Sequence, residues 1–309
     1  VIYNPAAGRG LARRVVERYR ATPGPVTEFR PTAGPAHAEE LARAAAAEGF
    51  GTVVAAGGDG TVHEVANGVL RAGNPETVFA VWPAGSANDY AWALGWRKGW
   101  APDPSRPPAP VLAADVGRVT GSDGRSRYFV NGMGLGFNGA VTVEARRIRW
   151  LRGMPLYGLA FVKAVVRHFD QPRMAVAFDD KVSDRPTLAL TVSLGRREGG
   201  FLLTPDAKLD DGQFDFLHAG GLSRWELLRH LPRMATGTLP TDHPKLNVGR
   251  CRAVSVRSET PLRIHLDGEF FCQPEEGLRE VRVELLPGRL RVETFRGAIA
   301  GPAADPGRE

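Results

Sequence analysis

The chain has 309 residues and a formal net charge of +6, and 35 of its 40 basic residues are Arg. At about 100–200 residues per domain this length predicts two domains, and 43% apolar content is enough for two cores. The opening "VIYNP" carries no basic-then-apolar leader and no stretch approaches 18 apolar residues, which excludes a membrane-spanning chain; two cysteines, Cys251 and Cys272, give neither a zinc spacing nor a disulfide framework. The expectation is a protein of the reducing cytoplasm, peripheral to a membrane at most. Its basicity fits codon bias as well as an anionic partner such as a nucleotide or a membrane surface.

"VIYNP" reads as a short strand, and Gly8 and Gly10 lead into a helical run from Leu11 to Tyr19. "VTEF" at 26–29 reads as a second strand and "AHAEELARAAAAEG" as a second helix, built of strong helix formers and closed by Gly49. The apolar runs "TVVAA" at 52–56 and "TVFAVW" at 77–82 have the texture of strands buried on both faces. Val62, Val65, Ala66, Val69 and Leu70 fall on one face of a helix after the first run, and a further helix is expected from about Tyr90. Four strand-to-helix units predict an open, mostly parallel α/β sheet over residues 1–110, with "NPAAGRG", "RPTAG", "GGDGT" and "PAGSAND" at the strand ends that line the ligand crevice.

Five prolines in "APDPSRPPAP" mark a connector at 101–110. From Val111 to about 291 the many short β-like runs, with helical insertions near 139–151 and 156–169, predict an antiparallel sandwich or barrel. The Gly/Pro-rich "AGPAADPGRE" at the end predicts disorder.

"GGDG" poses a chemical question, because Gly57, Gly58 and Gly60 surround one acid, Asp59, where a strand gives way to a helix. Bare backbone at a helix N-terminus, with roughly half a positive charge from the helix dipole, makes an anion site. Phosphate suits it, and Asp59 would then help hold Mg²⁺, directly or through water. The plain alternative is a tight turn in which Asp59 caps the helix beginning at Thr61. Asn4, Ser86, Asn88 and Asp89 come from loops at equivalent positions.

Taken together, "NPAAGRG", "GGDGTVHEVANGVL", "PAGSANDYA" and the late "LDGEFF" resemble the diacylglycerol kinase catalytic domain family, in particular the soluble bacterial lipid kinases, which are similar to sphingosine and ceramide kinases. The resemblance implies a sandwich as the second domain, a chain end (about 292–309) that returns to the first domain, and a cleft for ATP. It implies that Asn4, Thr32, Gly58, Thr61 and Ser86 bind ATP, with Gly57 and Gly60 in the same loop, and that Asp59, Asp89 and Asp115 form the acidic network around catalytic Mg²⁺. It implies Glu269 as general base, and a structural Mg²⁺ on Asp211 with the carbonyls of Lys208 and Gln213. Ala7 stands where the family often has Ser or Thr, which removes a hydroxyl donor from the first loop. From the residues alone, moving a phosphoryl group to an alcohol needs a proton acceptor such as Glu269, although "DG" between β-like runs is also a common hairpin turn. Without the resemblance, Asp210, Asp211 and Asp215 read as a solvated turn.

Two aromatic and basic segments suit an anionic bilayer, "YAWALGWRKGW" and "ARRIRWLRGMPLYG". Of these, the second, through Arg146, Arg147, Arg149 and Trp150, is expected to dock. His63 is assigned no role. The expected function is an ATP- and Mg²⁺-dependent kinase of a membrane lipid, most naturally diacylglycerol. The alternatives are an NAD kinase-like phosphotransferase and an inactive nucleotide- or lipid-binding protein. No nucleic-acid motif accompanies the spread-out Arg, and a sandwich edge is compatible with a homodimer.

Overall fold

The structure is a computed structural model in which residues 1–22, 27–105, 109–148 and 150–295 are described. It divides into two compact units, Val1–Ala113 with the described residues from Leu290 onward, and Ala114–Arg289. The expected disordered tail at 300–309 lies outside the described residues.

The first unit runs β1 (Ile2–Tyr3), α1 (Leu11–Arg20), β2 (Arg30–Pro31), α2 (His37–Ala47), β3 (Thr52–Gly57), α3 (Asp59–Ala72), β4 (Val78–Pro83) and α4 (Asp89–Ala93). Its strands pair in parallel in the order β2-β1-β3-β4, as expected for the α/β half. The second strand is not "VTEF": residues 27–29 are irregular, and the strand is the pair Arg30–Pro31, in register with Ile2–Tyr3. β-branched composition suggested 26–29, but the reach of the two-residue β1 sets where pairing occurs. Val53, Ala55, Val65, Ala66 and Val69 are buried between β3 and the covering helices. The α2 and α3 helices cross closely at Gly68, where a Cβ would lie 2.3 Å from the Glu39 carbonyl oxygen. Glu64 of α3 also accepts the Ala36 and Ala38 N–H groups at 2.9 and 3.1 Å, which anchors the start of α2.

The second unit is entered along β5 (Val111–Gly121) and left along β18 (Glu280–Glu293). Between them lie β6 (Ser126–Phe129), β7 (Gly132–Gly136), α5 (Phe137–Arg147), α6 (Gly153–Arg167), β8 (Arg173–Phe178), β9 (Lys181–Pro186), β10 (Ala189–Ser193), β11 (Arg197–Glu198), β12 (Phe201–Leu202), β13 (Phe214–Ala219), α7 (Arg224–Thr236), β14 (Leu246–Cys251), β15 (Ala253–Ser258), β16 (Ile264–Leu266) and β17 (Glu269–Cys272). A six-stranded antiparallel sheet, β14-β13-β10-β7-β16-β17, faces the sheet containing β15 and β8. Phe178 stacks on Phe216 across this interior with centroids 3.8 Å apart. The other face of the six-stranded sheet carries α5, α6 and α7, whose Phe137, Phe161 and Leu227 are buried with Leu217 and Ala219.

This is the expected antiparallel domain with three corrections. Helix α7 was not expected; its Ser223–Glu226 capping box is formed in both directions, at 3.2 and 2.7 Å. The Gly-rich β7 is a strand despite its composition, and residues 280–293 form one long strand, β18, instead of short runs. Cys251 and Cys272 are free buried thiols, each pushed up to about 12 by burial.

Gly68→Ala should destabilise the chain by about 1–3 kcal/mol through overpacking, reversing the usual gain from replacing a helical glycine, as read from the denaturant midpoint. A second prediction concerns His218, held neutral within β13: burial, then the charge of Arg185, push its imidazole down to about 4. The unfolded chain therefore binds a proton that the folded chain does not between the ordinary value near 6.5 and about 4. Stability should fall as pH drops through that window, by at most about 3 kcal/mol, and His218→Asn should flatten this part of the curve.

Candidate active site

In a parallel sheet all strands end on the same edge, so β1, β2, β3 and β4 deliver their following loops to one side of the first unit. Asn4, Thr32, Gly58 and Ser86 all arrive there. The loops are tied together by main-chain bonds: Asn4 N–H donates to Ala56 O at 3.2 Å, Thr32 N–H to Tyr3 O at 2.9 Å and Ala84 N–H to Gly57 O at 2.7 Å. Asn4 also folds its own loop, its side-chain oxygen accepting the Ala6 N–H at 3.0 Å.

Several glycines here are required by close approach. A Cβ on Gly58 would lie 3.2 Å from the Gly85 Cα, and one on Gly85 would lie 2.6 Å from the Gly58 Cα. Gly8, with φ of +60°, would drive a Cβ to 2.2 Å from the Ala84 carbonyl oxygen. Three strand-end loops therefore touch backbone to backbone, which no larger residue permits.

Asp59 is the first residue of α3, and its carboxylate accepts the N–H of Asn88 at 3.0 Å and of Asp89 at 2.9 Å. It thus holds the start of α4, thirty residues away, rather than serving only its own helix. Asn88 is in the left-handed region (φ 54°), and its side chain brackets Gly85, accepting the Gly85 N–H at 2.8 Å and donating to Gly85 O at 3.1 Å. Thr61 is buried in the first turn of α3 and Ser86 is exposed at the loop crest. The early N–H groups of α3 have no intrahelical partner by helix geometry, so the edge presents backbone donors beside two carboxylates, Asp59 and Asp89.

Glu269 begins β17 in the second unit, after a two-residue turn in which Asp267 (φ 51°) and Gly268 (φ 87°) are both left-handed, the signature of a tight hairpin. The Asp267 carboxylate accepts three consecutive N–H groups, from Val130 at 3.1, Asn131 at 2.8 and Gly132 at 3.0 Å. The "DG" is thus a turn and also the anchor that fixes where Glu269 emerges. Arg146 of α5 donates to Glu269 Oε2 at 2.6 Å and to Gly268 O at 3.0 Å, and its guanidinium lies 4.7 Å from the Phe270 ring centroid.

Asp115 is buried, and both its oxygens accept backbone N–H groups, from Gly212 at 2.7 Å and Gly288 at 2.8 Å. It braces the 205–212 loop and the middle of β18 inside the second unit, whereas Asp59 and Asp89 belong to the first. Asp211 lies in that braced loop, its carboxylate accepting the Gln213 N–H at 3.2 Å. Arg250 bonds Asp215 at 3.3 Å and lies 3.9 Å from Asp211. Burial, reinforced by Asp211 and Asp206, pushes the Asp215 carboxyl up despite Arg250, and its buried Oδ2 has no hydrogen-bond partner. That orphan oxygen, at the start of β13 and facing the charge of Asp211 and Asp206, is compatible with a further cation. Among the described residues, no three His, Cys, Asp or Glu side chains form a ready-made metal cage.

The first 115 residues match the diacylglycerol kinase catalytic domain, and residues 132–294 match the YegS C-terminal NAD kinase beta sandwich-like domain. The chain belongs to the diacylglycerol kinase family. Its relatives include the diacylglycerol kinase of Bacillus subtilis (strain 168), 28% identical over 87% of this chain and 89% of that one. That of Mycobacterium tuberculosis (strain H37Rv) is 29% identical over 87% of each chain. A crystal structure of a diacylglycerol kinase from Bacillus anthracis str. Sterne superposes with a TM-score of 0.71 at 18% identity, covering 96% of this chain and 97% of that one, and so shares the fold.

As a member of the diacylglycerol kinase family the chain is a kinase, and its sequence-derived residues sort by unit. Asn4, Thr32, Gly57, Gly58, Asp59, Gly60, Thr61, Ser86 and Asp89 gather at one sheet edge. Asp115, Lys208, Asp211, Gln213 and Glu269 lie in the second unit. Arg149 lies outside the described residues; Arg146 and Arg147 are ion-paired to Glu269 and Glu144, and Trp150 is exposed. In the other aromatic segment Trp92, Trp96 and Trp100 are half-buried, and Trp100 packs edge-on to Phe295 at 4.8 Å. Reading the sequence missed Asp267 as an anchor and Arg146 as the partner of Glu269. The only signal for the first was the "DG" itself, and nothing local pointed to the second.

Removing the three-donor acceptor by Asp267→Ala should leave those N–H groups unpaired and cost about 2–4 kcal/mol, read from chemical denaturation, with Asp267→Asn recovering part of the loss.

Proposed function

We propose that this chain is an ATP- and Mg²⁺-dependent lipid kinase that transfers the γ-phosphoryl group to a hydroxyl of a membrane lipid, with diacylglycerol as the first acceptor to test. The observation that carries this reading is the convergence of four strand-end loops at one sheet edge, clamped through Asp59, in a chain that also supplies a rigidly anchored carboxylate at Glu269. The names borne by its relatives support the same acceptor class.

In this reading the Gly57–Thr61 backbone, Asn4, Thr32 and Ser86 seat the nucleotide, and Asp59 and Asp89, with Asp115 as a further candidate, supply negative charge for Mg²⁺. When bound, Mg²⁺ neutralises phosphate charge and so lowers the cost of developing charge in transfer. Glu269 accepts the acceptor hydroxyl proton: Arg146 occupies Oε2, which orients the carboxylate and leaves Oε1 as the basic oxygen. Asp211, with the carbonyls of Lys208 and Gln213, would hold a second, structural Mg²⁺. The acceptor would be met at an anionic membrane surface. No described helix is long and apolar enough to cross a bilayer.

A second reading, phosphorylation of NAD, is favoured by one observation, the match of residues 132–294 to an NAD kinase-like sandwich. Transfer of label from γ-labelled ATP with Mg²⁺ into a panel of dispersed lipids and into NAD separates the two. Label is expected in diacylglycerol, with a loss of at least about 100-fold in kcat for Glu269→Gln at unchanged ATP affinity. Label in NAD alone would establish the second reading, and transfer to neither would overturn both.

A further inference from the structure

The outer face of α6 breaks the usual rule that a surface helix is apolar on one side only. Leu156, Ala160, Phe161, Ala164 and Val165 are buried, yet Met154, Val162 and Val166 are exposed, Val166 at 70%. With Gly158, where a Cβ would meet nothing within 4 Å, they form a ladder at 154, 158, 162 and 166 along the outer side. Two tryptophans extend it: Trp150 (71% exposed) precedes the helix, and Trp225 (81%) stands on the first turn of α7. Arg224 holds that turn beside α6, donating to Val165 O at 3.1 Å.

The stripe is flanked by positive charge. Glu144, its side chain wholly buried, binds Arg147 at 2.9 Å and Arg167 at 3.0 Å, and both arginine side chains remain more than half exposed. Burial pushes the Glu144 carboxyl up, but the bonds from His168 and Arg167 and the charge of Arg147 outweigh it and hold the group below the usual range. Among the described residues, Arg152, Lys163 and Arg224 add further cations on α6 and its flanks, with Glu144, Asp170 and Glu226 as carboxylates, the last paired with Lys245 at 2.7 Å.

We propose that the outer face of α6, with Trp150 and Trp225 at its ends, is the surface that beds into the headgroup layer of an anionic phospholipid bilayer. The inference rests on the reading of the acceptor as a membrane lipid and shifts the docking element from the segment 146–152 to α6, keeping from that segment Trp150 and the charges of Arg147 and Arg152. There Arg146 is committed to Glu269 and Ile148 is buried. The charge pattern chooses the occupant: an apolar stripe between cations suits an interfacial helix on acidic lipid. A second copy meeting this face about a twofold axis would set like charges together. The stripe is also about 18 Å long and one helix wide, small beside the ~800 Å² per partner of a stable dimer.

The test is co-sedimentation of the full chain with vesicles of equal phosphatidylglycerol and phosphatidylcholine, against phosphatidylcholine alone, for the wild type, Val162→Glu/Val166→Glu and Trp225→Ser. Val182→Glu, at an exposed valine on β9, is the control. Expected is salt-sensitive binding to the acidic vesicles only, lost at least tenfold in the double variant and reduced in Trp225→Ser, and unchanged in the control. Phosphorylation of a short-chain, water-dispersed diacylglycerol should stay unchanged throughout. If the double variant misfolds by circular dichroism, Trp225→Ser decides alone. Wild-type binding by the variants, equal loss in the control, equal binding to neutral vesicles, or a wild-type dimer that Val166→Glu splits would each overturn the proposal. Failure of the wild type to phosphorylate any lipid would refute the kinase reading instead, while the vesicle comparison still decides the docking surface.

Discussion

Two backbone N–H groups, those of Asn88 and Asp89, end on the carboxylate of Asp59, and the geometry of the strand-end loops of the first unit follows from that contact. The acid begins one helix and caps the next, so the β3 and β4 loops are fixed to each other rather than independently placed. Such a short span requires bare backbone where the loops cross, which is the reason for Gly58 facing Gly85. The glycines that would receive phosphate are therefore also the ones that let Asp59 reach its partners.

The second unit uses the same device twice. Asp267 gathers three successive N–H groups and Asp115 gathers two from segments far apart in the chain. Each carboxylate converts a loop, which would otherwise be free to drift, into a fixed platform. Asp267 sets the height of Glu269 on its hairpin, and Asp115 sets the loop that carries Asp211. Charge-assisted bonds to several donors are strong and directional, which suits them to holding reactive groups.

Much of this was legible from periodicity and punctuation. Helix α2 follows from its run of Ala and Glu, β3 and β4 from their unbroken apolar texture, and the strand-end loops from their Gly and Asn. What stayed hidden depended on distant partners. β7 reads "GMGLG", too glycine-rich for a strand, but a Cβ at Gly134 would strike His265 Nε2 at 2.2 Å, so the bare residue is imposed by the neighbouring strand. Pro287-Gly288 reads as a break, yet the strand continues, and the Gly288 N–H is used by Asp115. Helix α7 carried a readable capping box but was masked by Pro232 within it. The Asp59 contact spans thirty residues and the Arg146–Glu269 pair 123, distances at which spacing carries no information.

The chain leaves the first unit in β5 and returns in β18, where Val292 pairs with Phe79 of β4. The second unit is therefore an insertion within the first, and the first is completed only after almost the whole chain has been made. Residues 1–115, though matched as one domain, lack the strand that pairs with the far edge of β4. On the ribosome, β4 must wait with an open edge beside the buried Phe79 until about 210 further residues have emerged. The division of this protein by ancestry and its division by cooperative folding are two different cuts through the same sequence.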